Sequence, residues 1–130
     1  MQKFKPDFIA LVTYLLPEDG GRQWPVHSGY KPLIKFDGNP LTTYAENTFY
    51  DRAEVHPGIT AEANITLDLS DLFTNNLSEG QTFNLFQQKQ HIGTGIITKI
   101  INRDLYNNAR TLHPFTHQLH QQWRYQQAAL

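Results

Sequence analysis

The chain has 130 residues, no cysteine, and eleven Lys and Arg against twelve Asp and Glu. A chain of this length forms one domain and buries roughly two thirds of its unfolded surface, so it folds without a disulfide or a metal. The missing cysteine excludes thiolate chemistry and Cys-ligated zinc. A formal net charge of −1 excludes the overall basic field that most nucleic-acid binders carry, although residues 99–130 hold four basic side chains against one acid.

The N-terminal residues give no sign of export. No apolar run follows Met1, because Lys5, Pro6 and Asp7 interrupt it. The sequence therefore predicts neither a signal peptide nor a membrane span, and we expect a cytoplasmic protein.

The first third of the chain reads as two strands with a turn after each. Phe8–Leu16 is a short apolar run with β-branched and aromatic residues, which favours a strand. Pro17–Gly21 predicts a turn in which proline fixes φ and both glycines take positive φ. Leu33–Phe36 predicts a second strand, and Asp37–Pro40 ends it.

The middle of the chain gives a weaker pattern and then a clear one. Between Leu41 and Gly58, Tyr44 and Phe49-Tyr50 suggest strand pieces, whereas Glu46-Asn47 and Asp51-Arg52 suggest loop, and a turn is predicted at His56–Gly58. The next segment, Ala61–Leu69, alternates between apolar and polar residues, which predicts a strand with one buried face. The predicted buried positions are Ala61, Ala63, Ile65, Leu67 and Leu69.

The last part of the chain predicts a hairpin and then a helix. Thr82–Phe86 and His91–Ile101 form the hairpin around Gln88–Gln90, and glycines at 93 and 95 indicate a bulge, a barrel corner or a close contact. After Asn102 an apolar stripe recurs every four residues, which predicts a helix that starts near Pro114. This helix either packs on the preceding domain or joins two copies in a homodimer. Its stripe consists of Phe115, Leu119 and Trp123.

Several turns and strand starts occur in an order that resembles a known domain. They are Glu18–Arg22, Gly29–Pro32, His56–Gly58, Glu79-Gly80 before Phe83, and Gly93–Ile101. This order resembles the C-terminal β-barrel, or third domain, of translation elongation factor Tu. The resemblance implies an all-β fold, a closed six-stranded antiparallel barrel over residues 1–102, without free sheet edges. Residues 103–130, the predicted helical extension, have no counterpart in that family.

The resemblance also implies where RNA contacts would lie. In the family this barrel packs on a GTPase domain and a second barrel, and it touches aminoacyl-tRNA and the nucleotide-exchange factor. Arg22 keeps the family's arginine and Lys31 keeps a positive charge, whereas Gln23 stands where histidine is usual. Leu33 replaces a glutamine. Gln87, Gln88 and Lys89 replace an acidic-Gly-Gly hairpin tip. The departures fall on RNA-facing positions and leave the scaffold positions.

These residues define a candidate binding surface. Its members are Arg22, Gln23, Trp24, Tyr30, Lys31, Gln88 and Lys89. Arg22 either contacts an RNA phosphate or pairs with an acid in its own turn. Trp24 and Tyr30 either stack on bases or lie in the core or an interface. Because of the net charge and the altered RNA-facing positions, we expect a protein partner and keep tRNA-type RNA as the alternative.

Nothing in the sequence predicts an enzyme. A glycine-rich phosphate loop with Lys-Ser/Thr is absent, so the chain cannot hydrolyse GTP. His113, His117 and His120 share a helix face in a spacing that suits a metal, but a solvated face is favoured. His56 with Asp51 and Glu54 suggests either acid–base chemistry or a polar loop. We therefore expect a non-catalytic binding module with no cofactor and no metal.

Overall fold

Six antiparallel strands close into a barrel in the computed structural model of the chain, which describes residues 5–107. The described strands are β1 (Phe8–Tyr14), β2 (Val26–His27), β3 (Leu33–Phe36), β4 (Thr42–Thr48), β5 (Glu54–Val55), β6 (Thr60–Leu67), β7 (Thr82–Gln87) and β8 (Gln90–Ile100). The order around the barrel is β1-β6-β4-β3-β7-β8, and β8 pairs back with β1. β2 and β5 form a separate two-stranded sheet. The predicted closed antiparallel barrel is confirmed.

The alternation in β6 places four of its five predicted residues in the core. Ala61, Ala63, Ile65 and Leu67 are buried. Leu69 is 58% exposed, so its predicted burial is wrong. The reason is that β6 ends at Leu67 and the chain turns into a 3-10 turn at Ser70–Phe73, where the two-residue period no longer applies.

Strand β4 corrects the interpretation of the middle segment. Glu46 and Asn47, predicted as loop, lie inside this strand, and Phe49-Tyr50 lies beyond its end. Asn47 is fully buried because the Tyr14 hydroxyl donates to its Oδ1 at 2.7 Å. Its own Nδ2 donates to the Ala45 carbonyl at 2.9 Å. A polar residue at an inward position hides the alternation that would otherwise reveal the strand.

Three phenylalanine rings fill the centre of the barrel. The ring centroids of Phe8, Phe36 and Phe83 lie 5.9 Å apart in each of the three pairs, all edge to face. Phe73 adds a fourth ring, 5.2 Å from Phe36. Edge-to-face pairs contribute about 0.5–1.5 kcal/mol each beyond the area that they bury.

The ring of Phe83 occupies the space that a side chain at position 95 would need. A Cβ built on Gly95 would lie 2.3 Å from Phe83 Cζ and 3.0 Å from the Leu11 carbonyl oxygen. The close contact predicted for the glycines of this strand is confirmed. The register of β8 also shifts once against each of its neighbours, β1 and β7.

We predict that Gly95→Ala lowers the free energy of unfolding by about 1–3 kcal/mol, because the added methyl group overpacks the core against Phe83. Urea denaturation measures the change. Lys99→Ala, an exposed change in the same strand, serves as the control and should stay within about 0.5 kcal/mol of the native chain. Equal stability of the two variants would contradict the packing argument.

Asp7, the residue before β1, lies at the end of the barrel where β1 begins and β6 and β8 end. We call this the lower end. It is 1% exposed, and its Oδ2 accepts a hydrogen bond from the Leu67 amide at 2.7 Å. Oδ1 accepts from Asn102 Nδ2 at 2.9 Å. The Asp7 carbonyl accepts from the amides of Ile101 and Asn102, both at 3.0 Å. One residue therefore joins the start of β1 to the ends of β6 and β8.

We predict that Asp7→Ala lowers the free energy of unfolding by about 1–3 kcal/mol, because it removes the buried carboxylate that accepts from the Leu67 amide and from Asn102 Nδ2. Asp7→Asn keeps one carbonyl acceptor and should cost less. Thermal and urea unfolding measure both variants, with Asp71→Ala at an exposed carboxylate as the control. If Asp7→Ala and Asp71→Ala prove equally stable, Asp7 does not close the barrel in this way.

The described C-terminal residues pack on the barrel. Leu105 is buried, its carbonyl accepts from the Leu77 amide at 2.8 Å, and Tyr106 forms a parallel bridge with Leu77. The predicted helix near Pro114 and its stripe Phe115, Leu119 and Trp123 lie outside the described residues, as do the three histidines His113, His117 and His120. Within residues 5–107 no helix has the length and apolar character needed to cross a bilayer.

Candidate binding site

The turn before Arg22 needs both of its glycines, for two different reasons. It follows a 3-10 turn at Pro17–Asp19, and Gly20 caps that turn with φ +94°. Gly21 does not have positive φ, so that part of the prediction is wrong. A Cβ at Gly21 would lie 2.0 Å from the Leu15 carbonyl oxygen, so this position needs glycine for space. The chain can therefore fold back closely on the end of β1.

Two glutamines of the β7–β8 hairpin hold this turn. Gln90 Nε2 donates to the carbonyl oxygens of Gly20 at 2.6 Å and Gly21 at 3.1 Å. Gln87 Oε1 accepts from Arg22 Nη1 at 2.9 Å and from the Tyr30 hydroxyl at 2.6 Å. Gln87 and Gln90 are the last pair of the hairpin, so both side chains lie at the same end of the barrel.

Arg22 is held in place without an acid. Its guanidinium carbon lies 4.6 Å from the centre of the Tyr30 ring, a cation–π contact. No carboxylate of the described chain forms an ion pair with Arg22. The expected pairing with an acid of its own turn is therefore not found within residues 5–107, where Glu18 and Asp19 are exposed. Arg22 Nε is buried and has no hydrogen-bond partner among the described residues.

The phenol of Tyr30, beside Arg22, stays protonated because its side chain is partly buried. Burial raises the pKa of Tyr30, and the Arg22 guanidinium offsets part of that rise. The phenol is therefore neutral near pH 7 and acts as a hydrogen-bond donor. Arg22 remains the charged group of this contact.

An exposed tryptophan stands beside the arginine. Trp24 is 71% exposed, which excludes the core position left open by the sequence, whereas Tyr30 is partly buried and packs on the core. Trp24 and Arg22 line a shallow depression of about 400 Å³. Its other lining residues are Gly21, Gln23, Gln87 and Gln90. We call this the Arg22 depression.

The structure brings four of the seven predicted residues together: Arg22, Gln23, Trp24 and Tyr30. Lys31 Nζ instead forms an ion pair with Asp68 Oδ1 at 3.2 Å. Gln88 and Lys89 make the exposed two-residue tip of the hairpin, where Gln88 has φ +57°. They adjoin the Arg22 depression and do not line it.

Sequence reasoning missed the structural role of two residues. Gln87 appeared only as a replacement at the hairpin tip, and Gln90 only as a loop residue. A tip of two residues would have made them a cross-strand pair beside the turn. The side-chain contacts themselves span 57 to 70 positions of sequence, and no local pattern encodes them.

A second polar cluster lies on the small β2–β5 sheet. Glu54 Oε1 lies 3.6 Å from His27 Nδ1, and Glu54 Oε2 lies 3.3 Å from His56 Nε2. Asp51 is not part of it and pairs with Arg52, which lowers the pKa of the Asp51 carboxyl. All of these side chains are exposed or nearly so. No group of three such side chains within residues 5–107 is arranged to hold a metal.

No known protein-family model matches the chain. Function must therefore be inferred from the chemistry of the Arg22 depression. It combines a fixed cation that lacks an acid among the described residues, amide groups, and one large exposed aromatic side chain.

We predict that Gln87→Glu raises the free energy of unfolding by about 1 kcal/mol at pH 7, because a carboxylate at this position gives Arg22 a charge-assisted hydrogen bond. The guanidinium lowers the folded-state pKa of the new carboxyl below the unfolded value of about 4.3. The gain is thus present above that value and is lost as the pH falls through the folded pKa.

Urea unfolding at pH 7 and in acid tests this prediction. Gln88→Glu, one residue away at the exposed tip, makes the same change of charge without reaching Arg22 and is the matched control. A similar gain in both variants, or a gain that persists in acid, would show that no specific pair forms.

Proposed function

We propose that this chain is a non-catalytic binding module that resembles the third domain of elongation factor Tu and recognises a protein partner through the Arg22 depression. The observation that carries the proposal is Trp24, a tryptophan left 71% exposed beside an arginine that two contacts hold in place. Tryptophan, tyrosine and arginine dominate the binding energy of protein interfaces. A fixed arginine also loses little side-chain freedom on binding.

The charges of the described residues favour protein over RNA. RNA binding draws on several phosphate contacts, each from a basic side chain. Lys31 is paired with Asp68, and the exposed acids Glu18 and Asp19 lie just before Arg22. These acids repel an RNA strand, which carries a negative charge on every phosphate, whereas a protein partner can place neutral side chains beside them.

RNA of the tRNA type is the second candidate, and one observation favours it. Lys89 lies at the tip of the hairpin that holds Arg22, so two cations are present at the same end of the barrel. The resemblance to elongation factor Tu places RNA contacts at both positions.

The proposal of a non-catalytic role rests on the protonation of the site. The raised pKa of Tyr30 keeps its phenol neutral at pH 7. The remaining polar side chains that line the depression are amides and an indole. None of these groups exchanges a proton readily near neutral pH, which general acid–base catalysis requires.

We predict that Trp24→Ala abolishes capture of a specific protein from native lysate of the source cells, because the change removes the largest exposed contact of the site. Leu69→Ala, an exposed apolar change outside the lining of the Arg22 depression, should retain that protein. RNase treatment before capture should not change the result, and the retained protein is identified by mass spectrometry.

A parallel titration with tRNA at low and moderate salt decides between the candidates. Salt-dependent binding at micromolar protein that Trp24→Ala removes would replace the protein partner with RNA. If Trp24→Ala and Leu69→Ala capture the same protein equally well, the Arg22 depression does not take part in the interaction.

A further inference from the structure

Arg22 presents one occupied edge and one edge without a described partner. Nη1 is bonded to Gln87 Oε1, and the guanidinium is placed over the Tyr30 ring, so two contacts fix the plane of the group. The other edge of an arginine consists of Nε and Nη2. Nε is buried and has no hydrogen-bond partner among the described residues. A buried charged donor without an acceptor is costly and calls for an explanation.

We propose that the Arg22 depression binds a carboxylate side chain of an acidic protein segment, and that an apolar neighbour in that segment packs on Trp24. This inference rests on the proposed function and specifies the chemistry of the partner. The carboxylate accepts hydrogen bonds from Nε and Nη2 in the bidentate arrangement that arginine favours. It gives Nε the acceptor that the described chain does not supply.

Charge and shape both favour a carboxylate. The depression holds one cation, and its other polar lining side chains are neutral amides and an indole, so a single negative charge matches it. The amide nitrogen of Gln90 already donates to the Gly20 and Gly21 carbonyls, and it carries no positive charge. Trp24 provides an apolar surface next to the cation, which suits an acid that has an apolar neighbour.

The carboxylate must displace the side chains that shield Nε from solvent. Side-chain rotamer changes at an interface are common even when the backbone does not move. The backbone of the turn is held by Gln90, which donates to the Gly20 and Gly21 carbonyls, and by the close approach at Gly21. Rearrangement is therefore confined to side chains at the rim.

The test uses two short peptides, acetyl-Phe-Glu-Leu-amide and the same peptide with Gln in place of Glu. The readout is the ¹⁵N–¹H resonance of Arg22 Nε, assigned by its loss in Arg22→Lys. We expect the Glu peptide to shift this resonance saturably with a dissociation constant on the order of 1 mM. The Gln peptide should bind at least tenfold more weakly.

Three variants assign the effect to the arginine. Arg22→Lys keeps the charge and lacks the planar fork, so backbone resonances should report binding at least tenfold weaker. Gln87→Glu supplies a competing carboxylate and should abolish binding in a chain that is no less stable. Lys99→Gln removes a charge at the opposite end of the barrel and should bind as the native chain does.

Equal shifts from the Glu and Gln peptides, or no shift from either, would overturn the carboxylate site. So would a shift of the Arg22 resonance by inorganic phosphate or a short single-stranded RNA that the Glu peptide does not produce. These results differ from failure of the proposed function. If the peptide fails and capture still depends on Trp24, only the carboxylate is lost. If the peptide binds and capture does not depend on Trp24, the proposed protein-binding surface is wrong.

Discussion

The pairing of the first strand with the last is the constraint on which the structure depends. β1 and β8 run antiparallel from Phe8 opposite Ile100 to Tyr14 opposite Gly93, and this pairing closes the barrel. Closure brings the Leu11 carbonyl oxygen to 3.0 Å from where a Cβ on Gly95 would lie, and Phe83, the partner of Gly95 in the β7–β8 hairpin, fills the remaining space. At the lower end Asp7 satisfies the amides where β6 and β8 finish. Core packing at Gly95 and backbone hydrogen bonding at Asp7 thus both involve the pairing of β1 with β8.

The pairing of β1 with β8 also determines where the candidate binding site lies. β8 begins at the hairpin whose last pair is Gln87 and Gln90, next to the end of β1 from which the glycine turn departs. Closing the barrel therefore brings the turn and the hairpin side by side, and the two glutamines bond them. A site built in this way takes its geometry from a rigid scaffold, although Arg22 and Trp24 lie in a loop.

The sequence predicts the fold well where one strand face is uniformly apolar. β1 and β6 follow from composition and alternation, and the closed barrel follows from the resemblance. The prediction failed at Asn47 because its inward amide is satisfied by Tyr14, a partner 33 positions away. Most of the site residues follow from the resemblance. The roles of Gln87 and Gln90 do not, because they depend on contacts that exist only after the barrel closes.

The residue at position 87 determines whether the positive charge of Arg22 is compensated within the chain. The resemblance implies an acidic hairpin tip, and an acid at 87 would neutralise the guanidinium that it holds. Glutamine keeps the hydrogen bond to Nη1 and leaves the positive charge uncompensated by any described side chain. Arg22 is thus a fixed cation whose other edge lacks a described acceptor. A single carboxylate beside an apolar side chain matches that arrangement in both charge and shape.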